Sequence, residues 1–221
     1  RDCLLSRGLG DVYKRQDLSI IESLTESRKV YQYKSQEFVY REGDLSNFLF
    51  FLKKGMIKSY RLNDDMKEFI LQVYQPGEFL GYKALLQERP YKEYAVCIED
   101  VELYKIPKND FLNLIHSNQA VSVKMIQLLS KNLSEKEEQL VQLAYDSVAK
   151  RVILQILKLS EENETDTLHI SRQDLANLVG TSKETLVRVL TSLRKDSLIE
   201  SDGHYIKIID ANGLEKLLDF S

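Results

Sequence analysis

The chain of 221 residues has little cysteine, proline, glycine or histidine: two, three, nine and three of each. Two cysteines build no disulfide framework at this length, which points to a reducing, cytoplasmic setting. So few glycines and prolines exclude collagen-like and low-complexity classes. No apolar run approaches the ~20 residues of a membrane-spanning helix. His116, His169 and His204 stand far apart, so no metal or haem ligand set and no cofactor is indicated. An excess of basic charge is absent too, with 31 Lys and Arg against 34 Asp and Glu. The net charge of −3 argues against general binding to polyanions and leaves room only for a local basic face. What is present is 43% hydrophobic residues, enough to bury the core of one large or two ordinary domains.

The opening segment, RDCLLSRGLGDVYKRQ, starts without Met and has no periodicity. Its Leu4-Leu5 pair is too short for the core of a signal peptide. Asp11 to Gln16 resembles the translated end of a transposon adapter used in sequencing libraries. Residues 1–16 are therefore expected to be non-native read-through, with a disordered native tail as the alternative. Without them the chain loses Arg1, Arg7, Lys14 and Arg15 against Asp2 and Asp11, becomes more acidic still and keeps Cys97 alone.

From about Val30 to Phe111, short apolar runs stop at turn residues. Glu37 to Tyr40 ends at Gly43-Asp44, Phe48 to Leu52 at Lys53-Lys54-Gly55, Met56 to Leu62 at Asn63-Asp64-Asp65, and Phe69 to Tyr74 at Pro76-Gly77. Val96 to Ile98 and Val101 to Ile106 add two more. Strand-like runs at this spacing predict an all-β roll, placed at 17–112. After Pro107 the period changes. Ile126, Leu129, Leu133, Lys136, Leu140 and Leu143 recur at steps of three and four without Gly or Pro between them, which predicts a long helix within 113–145. Its stripe suits the seam of a two-fold dimer; packing against its own roll is the alternative.

The third part, 146–221, opens with a helix through Val148, Val152, Ile153, Ile156 and Leu157 that stops near Glu161. Ser171 and Asp174 then resemble a capping box, and the helix they start ends at Gly180. Thr181 or Ser182 caps the next helix, whose Leu186, Val189, Leu190 and Leu193 face one way. Two helices joined at a glycine by a short turn, with small Ala176 where they meet, form a helix-turn-helix. Leu198 to Ser201, Asp202-Gly203 and His204 to Ile209 read as a hairpin, the wing. Lys183, Glu184, Val187 and Arg188 lie opposite the apolar face, near the helix end that enters a major groove. Arg188 can donate to guanine O6 and N7, and Glu184 can accept from cytosine N4. Lys183 suits a guanine or a phosphate; Ser182, Thr185 and the helix N-terminus suit phosphate oxygens. Between Thr181 and Lys195 the local charge is +3, which is the hidden basic face.

The segment GTSKETLVRVLTSLRKDSLIES resembles the recognition helix and wing entry of the Crp/Fnr family of bacterial transcription regulators. The resemblance covers about Leu18 to the C-terminus, and Lys183, Glu184-Thr185 and Arg188 match the family motif, whose first position is often Arg. It implies an α+β chain: an N-terminal double-stranded β-helix (jelly roll) of the cyclic-nucleotide-binding type, a dimerisation helix and a C-terminal winged helix-turn-helix. It also implies a homodimer, double-stranded DNA carrying TGA-containing inverted half-sites, RNA polymerase as a partner, and Ser171, Arg172 and Thr181 as further DNA-binding positions.

The family's nucleotide pocket uses a Gly-Glu-Leu-Ala turn and an Arg-Ser pair. Here the corresponding positions are Gly81, Tyr82, Lys83 and Ala84, then Lys92, Glu93 and Tyr94. Tyr82 replaces the ribose Glu, Lys92 the phosphate Arg and Glu93 the Ser. A carboxylate beside a cyclic phosphate is repulsive, so cyclic AMP is not expected in the usual pose. The effector would then be an undefined small molecule; a regulator answering to cyclic AMP or another nucleotide is the alternative. An iron–sulfur sensor would need about four cysteines. Cys97 reads as a small buried hydrophobe. A β-roll metal oxygenase would need histidines that the roll lacks, and a module regulating a kinase or channel would have that domain where the helix-turn-helix stands. No catalytic residue is expected, so the chain reads as a regulator and not as an enzyme.

Overall fold

A computed structural model describes residues 29–162, 164–202 and 205–219; the segment expected to be read-through lies outside them. The aromatic and β-branched runs become strands because such side chains pack well on a pleated, half-buried surface. In order they are β1 (Val30–Tyr33), β2 (Phe38–Tyr40), β3 (Phe48–Lys54), β4 (Ile57–Leu62), β5 (Glu68–Tyr74), β6 (Phe79–Leu80), β7 (Tyr94–Cys97) and β8 (Val101–Pro107). A short helix, α1 (Tyr82–Leu86), stands between β6 and β7. One sheet runs β1-β8-β3-β6 and the other β2-β7-β4-β5. Strand β8 pairs antiparallel with both β1 and β3, and β7 with both β2 and β4. This is the expected roll, with β1 and the two-residue β6 in addition to the strands read from apolar runs.

The unbroken apolar run of β3 is explained by burial on both faces. Phe50 and Leu52 point into the roll with Tyr40, Ile57, Tyr74 and Leu80. Leu49 and Phe51 join Leu85, Ile106 and Phe111 in a second cluster. Strand alternation splits one sequence run between two cores.

Two helices follow: α2 (Lys108–Ser117) and α3 (Gln119–Tyr145). The boundary placed between 112 and 113 thus falls inside α2, whose Phe111 is buried in the second cluster of the roll. The reason is local. The Asn118 Oδ1 accepts from the amides of Ala120 at 3.0 Å and Val121 at 3.3 Å, which starts a fresh helix.

Then come α4 (Val148–Glu162), β9 (Thr167–Leu168), α5 (Arg172–Val179), α6 (Lys183–Lys195), β10 (Ile199–Ser201), β11 (Ile206–Ile208) and α7 (Ala211–Asp219). A third sheet runs β10-β11-β9, with Ser201 opposite Ile206 and Ile206 opposite Leu168. Both β9 and α7 are additions to the sequence reading. The helix has a signal: Asp210 Oδ1 accepts from Gly213 N at 2.9 Å, and Leu214, Leu217 and Leu218 follow at helical spacing. By their internal contacts the described residues divide into two compact units, one comprising those up to Arg61 with Gln72–Leu129, the other Leu62–Leu71 with those from Ser130 onward. Among the described residues no helix is long and apolar enough to cross a membrane.

Gly55, between β3 and β4, has φ +88°, and a Cβ there would lie 2.5 Å from the Asp100 carbonyl oxygen. Gly55→Ala should therefore cost more than about 2 kcal/mol, from left-handed strain plus the backbone clash. Urea unfolding measures it, and an unchanged midpoint would contradict this account.

Candidate nucleic-acid interface

The helix-turn-helix is assembled from local capping and one shared core. Ser171 Oγ accepts from Asp174 N at 2.9 Å and donates to Asp174 Oδ2 at 2.7 Å, starting α5. Gly180 ends α5 at φ 72°, ψ 50°. Of the two residues expected to cap α6, Ser182 does so, its Oγ accepting from Thr185 N at 3.2 Å. Thr181 instead continues the turn, its amide donating to the Ala176 carbonyl at 3.0 Å. Leu175, Ala176 and Val179 of α5 bury against Leu186, Leu190 and Leu193 of α6, with Val152 and Ile156 of α4, Ile206 of β11 and Leu214 of α7. Ala176 is 0% exposed, so any larger side chain would push the two helices apart.

Burying that face turns the other outward. Lys183, Glu184, Val187 and Arg188 are exposed, Val187 at 42% although it is apolar. Arg188 Nη2 donates to Thr185 Oγ1 at 3.0 Å, one turn back, which holds the guanidinium over the N-terminal end of the helix. The Ser182 hydroxyl donates to the same Thr185 oxygen at 3.2 Å. The Ser182 O–H is thus committed within the helix in the free chain, whereas the Thr185 oxygen serves as an acceptor. The Glu184 carboxyl is held below the usual carboxylate range by its own backbone amide and then by the Ser182 hydroxyl, with Lys183 and Arg188 adding to them. It is an ionised acceptor beside a fixed donor fork. Arg172 departs from the expected set: its guanidinium donates to the carbonyls of Asp202 and, at 3.0 Å, Tyr205 on the wing.

Comparison with known proteins joins these parts. A family model for the cyclic nucleotide-binding domain matches residues 30–118, and one for the Crp-like helix-turn-helix domain matches residues 150–217. The chain is 30% identical over 179 residues to the cyclic AMP receptor protein of Thermus thermophilus, covering 81% of this chain and 83% of that protein. The chain belongs to the Crp/Fnr family of transcription regulators. It is also 26% identical to the anaerobic regulatory protein of Haemophilus influenzae, over 98% of this chain and 86% of that one. Among solved structures, the c-di-GMP-responsive global regulator CLP of Xanthomonas campestris superposes with a TM-score of 0.74 at 26% identity, covering 86% of this chain and 98% of that one. By name these relatives are a receptor protein and two regulators. Among the described residues no group of three or more His, Cys, Asp or Glu is placed to hold a metal ion.

In this Crp/Fnr chain the roll positions nominated for an effector have different surroundings. Gly81 starts α1 at φ 89°, as a turn glycine should. Ala84 belongs to the roll interior, whereas the Tyr82 ring packs into the other cluster with Leu49, Phe51, Leu85, Ile106 and Phe111. Lys92 is exposed, and Lys83 is half-buried on α1. Tyr94 stacks on Tyr60, with ring centroids 5.2 Å apart. Glu93 accepts from the Tyr40 hydroxyl at 3.1 Å, and Tyr40 itself stacks on Tyr91 and Phe50. Glu93 thus stands beside a stack of aromatic rings.

On α3 the predicted stripe is exposed: Ile126 at 65%, Leu133 at 61%, with Leu129, Leu140 and Leu143 also open. Val123, Val141 and Tyr145 extend it beyond the predicted set. Its one polar member is spoken for, because Lys136 Nζ donates to the Leu71 carbonyl at 2.6 Å and to Gln139 Oε1 at 2.8 Å. Only the start of α3, at Val121, is buried.

Burial raises the hydroxyls of Tyr40, Tyr74 and Tyr91, with Glu93 adding to each, and pushes the Cys97 thiol up to about 12. The unfolded chain ionises these groups first, Cys near ~8.5 and Tyr near ~10. Their stabilisation is therefore complete below about pH 8.5 and is lost as pH rises toward the folded values. Urea midpoints measured from pH 8 to pH 11 should fall, and Cys97→Ala should delay the onset. A flat profile would show that these groups are not shielded in the folded chain.

Proposed function

We propose that the chain is a homodimeric, sequence-specific DNA-binding regulator that reads an inverted repeat with half-sites about one helical turn apart. The observation that carries this reading is the exposed face of Lys183, Glu184, Val187 and Arg188 on a helix whose other face is locked by Leu186, Leu190 and Leu193. Arg188 reads a guanine through O6 and N7, and Glu184 reads a cytosine amine. Lys183, Ser171, Thr181, Ser182 and Thr185 lie along the N-terminal ends of α5 and α6, where amides and hydroxyls favour phosphate oxygens. The exposed stripe of Ile126, Leu129, Leu133, Leu140 and Leu143 supports a two-fold seam, because a face this apolar needs a partner. RNA polymerase is the further partner of such a regulator.

The roll does not take cyclic AMP in the usual pose. A cyclic phosphate needs a cation and hydroxyl donors; the chain offers exposed Lys92 and the Glu93 carboxylate, already paired with Tyr40. A nucleotide-responsive regulator is the second reading, favoured by the family-model match over 30–118 and by the name of the Thermus thermophilus relative.

Arg188→Ala should weaken the best site by about 1–3 kcal/mol and relax choice at one base pair in each half-site. Footprinting against a set of single-base variants measures this, and equal weakening at every sequence would reduce Arg188 to a phosphate contact. A protected region without two-fold symmetry would remove the dimer. Calorimetric titration of the purified protein with cyclic AMP should give no heat of binding, whereas a micromolar isotherm would establish the second reading.

A further inference from the structure

The N-terminal end of α5 is expected to present Arg172 to DNA, but its side chain runs the other way. One guanidinium nitrogen, Nη2, donates to two backbone carbonyls, those of Asp202 and Tyr205. Asp202 follows β10, and Tyr205 precedes β11. The two residues already hold each other, Asp202 N donating to the Tyr205 carbonyl at 3.3 Å and Tyr205 N to Asp202 Oδ1 at 3.1 Å. The other terminal nitrogen, Nη1, is sealed from solvent and has no partner among the described residues. Little of the fork is left to offer a phosphate. Burial of the group lowers its pKa and the nearby Asp202 carboxylate opposes that effect, so the guanidinium stays charged.

We infer that Arg172 is a positioning residue that pins Asp202 and Tyr205, at the ends of the two wing strands, to the N-terminal end of α5, and not a DNA ligand. The geometry gives the pin a purpose. The core fixes β10 and β11 only through Ile199, Ile206 and Ile208, on one face of the hairpin. Strand β11 also pairs with β9 at Ile206 and Lys207, but β10 is the edge strand with β11 as its one neighbour, so its end at Asp202 gains from a second anchor. Arg172 supplies one from the first turn of α5, directly after the Ser171 cap. The end of α5 and the wing then meet the duplex as one surface. This extends the DNA-binding reading, but the pin itself is a property of the free protein.

The test uses the full chain with Arg172→Met, which keeps the buried stem and removes the donors, and Arg172→Ala beside it. Amide hydrogen exchange is measured without DNA, and binding is measured across a range of salt. Exchange at Asp202 and Tyr205 should accelerate by ~10-fold or more in both variants while Leu186 and Leu190 in the core keep their protection. Affinity for DNA should fall with the salt slope unchanged. Unaltered exchange at the wing, together with a slope smaller by about one per subunit, would make Arg172 a phosphate ligand and overturn the inference. Equal loss of protection at the core in the methionine variant would also overturn it, as a fold requirement of the whole domain. If the wild-type protein bound no DNA selectively, the exchange result would still decide the pin.

Discussion

Burial of one face of α6 is the constraint on which the C-terminal unit depends. Leu186, Leu190 and Leu193 can be dry only if α5 crosses close above them, and that crossing requires Ala176 and the left-handed Gly180. Once this packing is set, the rotation of α6 about its axis is fixed. Glu184 and Arg188 are thereby placed on the outer face, and the bond from Arg188 to Thr185 holds the guanidinium there. Packing and recognition are two sides of a single helix. An error in the first, such as a larger residue at Ala176, is felt at the second through rotation of the whole reading face.

The overall acidity of the chain has little bearing on this surface. A net charge of −3 spread over 221 residues is screened beyond about 10 Å at ordinary salt, whereas the cations of α6 stand within one short helix. The Glu184 carboxyl among them stays ionised because its own amide and the Ser182 hydroxyl stabilise the charge. A carboxylate that accepts and a guanidinium that donates, one turn apart, form a pattern suited to base edges more than to phosphates alone. The roll shows the opposite chemistry. Tyr40, Tyr91 and Phe50 stack in its interior, and Glu93 accepts from the Tyr40 hydroxyl at their edge.

Much of the fold was legible because its signals are local. The runs ending at Gly55 and Pro76-Gly77, the change of period after Pro107 and the Ser171, Gly180 and Ser182 punctuation each act within a few residues. What stayed hidden has identifiable causes. Strand β9 is two residues long and exists only because β11 pairs with it. The break at Asn118 interrupts no periodicity, since α2 and α3 are both helical. Helix α7 carries an Asp cap and three leucines, but Gly213 stands in its first turn, where glycine weakens the helical signal.

The sequence by itself determined the order of the parts, the helix-turn-helix and the residues on the outer face of α6, because helical and strand periods are properties of neighbours along the chain. Only the tertiary structure decided where the long polar side chains are spent. Arg172 meets Tyr205 across 33 positions and Lys136 meets Leu71 across 65, and the Tyr82 ring joins a cluster that includes Phe111. No local pattern encodes such partners. A buried donor takes whichever carbonyl the packed fold brings within 3 Å, and that is known only once both elements are in place.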